Sequence, residues 1–165
     1  VHTLRHYVTV LELGWSNIFI PALGAGIAVY LVRSLIRDSA AHGVSDVIKA
    51  MALGSEILRR RMIHSRFIGS LLTVGTGGST GLEGPIVSIG GAVGSALGRW
   101  MEMNESHKKL LVGDGAAGAV AGIFNAPLTG LIFSLEISLG EWTYLTILPT
   151  IISAVSANEI SRFIM

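Results

Sequence analysis

Gly81-Leu82-Glu83-Gly84-Pro85-Ile86-Val87-Ser88-Ile89-Gly90-Gly91 decides how this chain is read. It places one carboxylate, Glu83, between two uncharged runs, Phe67 to Leu82 and Gly84 to Gly98. A carboxylate in membrane-like surroundings is costly unless it has a partner or serves an ion or proton path. Pro85 suits the first turn of a helix, where a missing N–H has no bond to lose. Gly84 lets backbone approach a ligand closely. The free N–H groups of the turn that follows form an anion-binding end. With Gly84 as cap and Glu83 outside the helix, the stretch supplies an anion site with an ionisable group beside it. The competing reading of Glu83 is a capping box with Thr80, which Pro85 disfavours.

Composition agrees with lipid as solvent. The 165 residues are 50% hydrophobic and 14% charged, with 21 glycines and a mean hydropathy of +0.62. Soluble domains carry about 25% charged residues. A formal net charge of +1 suggests no nucleic-acid surface. Without cysteine there is no disulfide and no thiolate metal site. His2, His6, His42, His64 and His107 lack metal-ligand spacing, so no metal and no cofactor are expected. The chain begins at Val1 without a signal-peptide pattern and ends just past an apolar segment, so it reads as a fragment.

Further uncharged runs are Leu13 to Val32, Gly115 to Leu135 and Trp142 to Asn158. A crossing needs roughly 20 apolar residues, a length that only the first two of these reach. The runs on either side of Glu83 are short, the pattern of helices that stop inside a membrane around a site. Asn125-Ala126-Pro127 interrupts Gly115 to Leu135, which predicts two helices, with Asn125 as cap. Gly90, Gly94 and Gly98 recur every four residues, as do Gly118 and Gly122, and such faces let helix backbones meet. From Arg33 to Arg66 basic residues outnumber acids, which places that segment in the cytoplasm and Arg99 to Asp114 in a connection. Within it, Ser39 to Ala52 reads as a short amphipathic helix, with Ser45 and Asp46 at its start and Val47, Ile48 and Met51 on its apolar face.

Two blocks carry a resemblance. Gly81-Leu82-Glu83-Gly84-Pro85 with its Ile89-Gly90-Gly91 helix is the first. The second runs through His107-Lys108-Lys109-Leu110-Leu111, Gly115-Ala116-Ala117-Gly118, Phe124-Asn125-Ala126-Pro127-Leu128-Thr129-Gly130 and Phe133-Ser134-Leu135-Glu136. In this order they resemble the CLC family of chloride channels and proton/chloride antiporters. The resemblance implies an all-α, polytopic membrane protein with broken and re-entrant helices, one half of an inverted repeat. Residues 1–165 would then be a partial transmembrane domain whose second half is absent. Chloride or another small anion is the implied substrate, the lipid bilayer and a second copy in a homodimer are the implied partners, and a bacterial inner membrane is the implied location.

The resemblance also assigns roles. Glu83 is the gate: ionised it occupies the anion's place, and protonated or displaced it opens that place. A buried carboxylate can also take up a proton, because burial disfavours its charged form. Gly81, Leu82, Gly84, Pro85 and Ile86 hold the anion through backbone N–H groups, Pro85 excepted, or shape the turn. Leu82 stands where many members have a basic residue. Ala41-His42-Gly43-Val44-Ser45 stands where the family has Gly-Ser-Gly-Ile-Pro, making His42, Gly43 and Val44 anion-site candidates. His42 either donates to the anion, with a charge responsive near neutral pH, or satisfies a helix end. Glu136 and Ile137 are proton-path positions. Ile137 stands where antiporters have a proton-carrying glutamate, so coupling is lost, or Glu136 or water covers the step.

No enzyme activity is expected. A proton-coupled antiporter of fluoride or another anion is the alternative in the same class, and a non-transporting structural fragment is another. An intramembrane serine protease with Ser79 as nucleophile is the rival of a different class. It needs a histidine on a neighbouring membrane helix, and no apolar stretch contains one.

Overall fold

A computed structural model describes residues 16–36, 43–53, 58, 60–79, 81–137 and 143–164. Its regular structure is helical, with no strand among the described residues. The helices are α1 (Ser16–Leu31), continued by a π turn (Val32–Ile36), α2 (Val44–Leu53), α3 (Arg60–Gly75), α4 (Glu83–Trp100), α5 (Glu105–Phe124), α6 (Pro127–Ile137) and α7 (Tyr144–Ile164). Packing divides the chain into two compact units. One draws on residues 1–41 and 64–82, the other on 42–63 and 83–165.

In the first unit the side chain of Thr76 fills the space that a Cβ on Gly24 would occupy. Thr76 is held there by a bond from its Oγ1 to the Leu72 carbonyl, 2.9 Å. Gly77, at φ +90°, then turns the chain after α3, a conformation that glycine adopts without steric cost. Charge alone suggested an apolar segment from Phe67 to Leu82. The helix instead starts at Arg60 and stops at Gly75. Arginine is a good helix former, so the basic residues extend the helix backwards, while the Thr76-Gly77 turn cuts it short.

The second unit is built on glycines. α4 and α5 run antiparallel across the 101–104 link. A Cβ on Gly90 would collide with the Gly115 carbonyl, one on Gly94 with the Leu111 carbonyl, and one on Gly98 would lie 3.0 Å from the Lys108 side chain. The four-residue glycine spacing therefore does what it predicts, bringing the two backbones into contact. Gly130 of α6 fits equally closely against the Ala117 carbonyl of α5. α7 lies parallel to α5. Ser153 Oγ donates to the Asp114 carbonyl, 2.7 Å, and Ser161 Oγ to the Gly122 carbonyl, 2.8 Å.

The turns follow from local chemistry. After α4 the Met103 N–H reaches back to the Gly98 carbonyl and the Glu102 N–H to Arg99. Glu102 takes φ 51°, the arrangement of a Schellman stop. Asn104 then caps α5, its side chain accepting from the His107 N–H at 2.9 Å. The link between α4 and α5 is thus far shorter than the Arg99–Asp114 connection expected from charge, and Asp114 lies in the middle of α5. Asn125 is in the left-handed region, φ 52° and ψ 40°, and closes α5 by donating its N–H to Ala121. It is the C-cap of α5 rather than the N-cap of α6. Pro127 opens α6, confirming that Gly115 to Leu135 is two helices.

α2 packs Val47, Ala50 and Met51 inward with Leu58, Met62, Val87, Ala92, Val112, Ala116, Val120 and Ile137. Its apolar face is thus Val47, Ala50 and Met51. Ile48, assigned to that face from the sequence, is 38% exposed. The helix begins at Val44, so Ser45 and Asp46 lie in its first turn rather than capping it. Ser39 to His42 lie outside the described residues. Among the described residues, no helix is long and apolar enough to cross a membrane. Within the run Leu13 to Val32 the described α-helix is Ser16–Leu31, followed by the π turn, and the other run of crossing length is broken at Asn125.

Candidate functional site

Two helix beginnings meet in the second unit. A Cβ built on Gly43, just ahead of α2, would lie 3.5 Å from the Gly84 Cα, and one built on Gly84 would lie 4.0 Å from the Gly43 Cα. Gly84 is the second residue of α4. The positive ends of α2 and α4, each with N–H groups that have no intrahelical acceptor, therefore lie side by side. Each helix is held in this position from behind. Val47 and Val87, on the turn following each start, are fully buried in the common core. Gly91 leaves room there, with Val47 and Leu58 each 3.2 Å from its Cβ position.

Pro85 is the third residue of α4, where its lack of an N–H costs nothing. Helix geometry at this end is reinforced by Ser88 Oγ, which donates to the Gly84 carbonyl at 2.8 Å. Glu83 is the first residue of α4, so the expectation that it would precede the helix is not met. A carboxylate at this position is favoured by the helix dipole. Nor is the side chain buried. It is exposed, with no hydrogen bond or ion pair among the described residues.

The other candidates divide. Val44 and Ile86 are half-buried at the two helix starts, beside Gly43, Gly84 and Pro85. Gly81 and Leu82 are exposed and directly precede Glu83 in sequence, but they pack with the first unit. His42 lies outside the described residues. Glu136 is exposed on the last turn of α6, whereas its neighbour Ile137 is buried in the core. Consecutive residues lie about 100° apart around a helix, so one of the pair can face solvent while its neighbour faces the core. No group of acidic or histidine side chains suited to a metal occurs among the described residues.

Asp114 was not singled out from the sequence. Its carboxylate is buried between α5 and α7, with Thr150 Oγ1 2.7 Å from its Oδ1. The apolar run Leu110-Leu111-Val112 was the signal that a helix had already begun by this point.

The all-α architecture is the fold class expected of a CLC-type domain. Residues 24–165 match the family model described as voltage gated chloride channel, and the chain belongs to that family. Its members are integral membrane transport proteins. The chain is 34% identical over 152 residues to a protein of Ralstonia nicotianae named as a ClcB-like chloride channel, covering 90% of this chain and 35% of the relative. It is also 34% identical over 157 residues to the H(+)/Cl(-) exchange transporter ClcA of Vibrio cholerae, covering 93% and 34%. For the ClcA of Vibrio parahaemolyticus the identity is 33% over 159 residues, covering 94% and 34%. The chain thus spans about a third of the length of these relatives.

Proposed function

We propose that this chain supplies one anion-binding half of a chloride-transporting membrane protein, with Glu83 as its gate. The observation that carries the reading is the contact between Gly43 and Gly84 at the starts of α2 and α4. Two helix N-termini offer an anion several N–H donors without a counter-cation, which replaces hydration yet allows release. Glu83 is the first residue of α4, and in this reading its exposed carboxylate turns toward these donors and competes with chloride for them. Protonation or a side-chain rotation withdraws that competition. Ile86 adds a backbone donor on the same turn, and His42, next to Gly43 in sequence, adds an imidazole N–H.

The chain acts in a bacterial inner membrane, in a homodimer, and is not an enzyme. Transport is channel-like with weak or absent proton coupling, because Ile137 has no titratable atom. The alternative, a proton-coupled exchanger, is favoured by the names of the Vibrio relatives and would use Glu136. Chloride efflux from liposomes holding the full-length protein, with and without a pH gradient, tests both readings. Efflux without net proton movement is expected. No efflux under either condition would refute chloride transport, and stoichiometric proton uptake would favour the exchanger.

A further inference from the structure

A groove of about 710 Å³ lies along α4, α5 and α7. Its walls are small or apolar, among them Gly90, Gly94, Leu111, Leu148 and Ile152, and among the described residues the one titratable side chain lining it is Asp114. α4 brings Gly90, Val93, Gly94 and Leu97 to this groove and α7 brings Leu148, Pro149, Ile152, Ser153 and Ala157, so no charged group faces Asp114 from either helix. The other charged groups of these helices do not line the groove; Glu83 is exposed at the start of α4 and Lys109 is half-buried on α5. Arg99 donates to the Leu58 carbonyl, Lys108 pairs with Glu105, and Arg162 pairs with Glu159. On α6, which packs on α5 from another side, Glu136 is exposed. Asp114 is 8% exposed and makes no ion pair among the described residues.

Proton counting at Thr150 is informative. Its Oγ1 lies 2.7 Å from Asp114 Oδ1 and 2.7 Å from the Thr146 carbonyl oxygen. Both are ordinary O–H···O lengths. A hydroxyl carries one proton. An ionised Asp114 offers only acceptors, so one of the two short contacts would have no proton of its own. A protonated Asp114 donates to Thr150, which donates onward to Thr146, and both contacts are satisfied. An unpaired carboxylate in an apolar groove would also carry a large desolvation cost, which the neutral acid avoids.

We propose that Asp114 is a second proton-binding site of this domain, holding a proton at neutral pH and distinct from Glu83. It sits level with the middle of α4, beside the Gly90–Gly115 contact, about two turns of helix below Glu83. Its part in transport rests on the chloride reading above, whereas its protonation does not. Proton uptake and release there changes the charge of the α5–α7 contact and so adds a component of pH dependence that Glu83 does not account for.

Infrared spectroscopy of the purified full-length protein tests the site. A carbonyl-stretch band of a protonated carboxylic acid is expected at neutral pH in the wild type, retained in Glu83→Gln and lost in Asp114→Asn. The amide is isosteric and can donate to Thr150 as the neutral acid does. Thr150→Val removes the partner and should shift the band, an independent readout if Asp114→Asn fails to fold. A spectrum unchanged in Asp114→Asn, or in Thr150→Val where the former does not fold, would overturn the proposal. In liposomes, the pH dependence of chloride efflux left in Glu83→Gln should disappear when Asp114→Asn is added. If the double variant keeps that dependence, the transport role fails. A wild type that moves no chloride refutes the transport reading, while the infrared band still decides the proton site.

Discussion

Gly94→Ala is the sharpest test of how the second unit is held together. The added Cβ would lie 2.6 Å from the Leu111 carbonyl carbon and 3.1 Å from the Val112 nitrogen, and closer still to the Leu111 oxygen. All three are backbone atoms, so no side chain can swing aside. Ordinary contact begins at 3.4 Å, so α4 and α5 must part by at least about 0.8 Å at the carbonyl carbon alone. A gap of that size forfeits roughly a quarter to a half of the dispersion energy of each neighbouring pair. Overpacking of this kind costs about 3 kcal/mol. Alanine recovers about 1 kcal/mol over glycine in a helix interior. The expected net loss is therefore about 2 kcal/mol. Gly122→Ala is the internal control, because its Cβ would meet the Ala157 carbonyl oxygen at 3.6 Å, an ordinary contact. It should be neutral or stabilising by up to about 1 kcal/mol. Thermal unfolding of the detergent-solubilised full-length protein, followed by the loss of its monodisperse chromatographic peak, ranks the two. Equal midpoints for Gly94→Ala and wild type would refute the reasoning, as would a Gly122→Ala variant as damaged as Gly94→Ala.

Three further outcomes are expected. Glu83→Gln should flatten the dependence of chloride flux on external pH from as much as about tenfold per pH unit, the limit for one titrating group, to nearly none beyond the Asp114 component; an unchanged slope in liposome flux would remove Glu83 from the gate. If Glu136 carries protons, Glu136→Gln should stop uphill proton movement against a chloride gradient while leaving chloride flux within about twofold, since an exposed side chain seldom matters to folding; continued pumping by that variant would place the proton route elsewhere. Asn125→Val should destabilise by about 1–2 kcal/mol, because a β-branched residue resists the left-handed conformation at the end of α5, whereas Asn125→Gly should be tolerated; equal melting of the two would show that the turn is not held in that conformation.

What could be read beforehand was whatever depends on a few neighbouring residues. The break at Asn125-Ala126-Pro127, a helix start close to Gly84-Pro85 and the close-packing face of Gly90, Gly94 and Gly98 are such features, each set by backbone permissiveness or by the absence of a side chain; Gly122, read as part of a second such face, has room for a Cβ. Boundaries that depend on the balance between charge and helix propensity were misplaced. The apolar run begins at Phe67, whereas the helix begins at Arg60, and Asp114 read as the end of a connection but sits mid-helix. Burial was also out of reach. Nothing local distinguishes an exposed Glu83 from a buried Asp114, since that difference comes from which helices pack alongside. The approach of Gly43 to Gly84, some forty residues apart in sequence, is of the same kind, and there the resemblance to a known family supplied what local reasoning did not.

The backbone-to-backbone seam between α4 and α5, and the serine bonds that tie α7 to α5, have a mechanical meaning. Helices separated by long side chains can slide, because the chains between them re-pack. Helices whose main chains touch at glycine after glycine, and whose serines are bonded into the neighbour's carbonyls, have no such bearing surface. They form a stiff block. On the proposed reading of Glu83 as gate, any opening that admits an anion is small and sited at the tip of the block, in the swing of one carboxylate. A transport protein built on such a block would work more like a latch than like a hinged door.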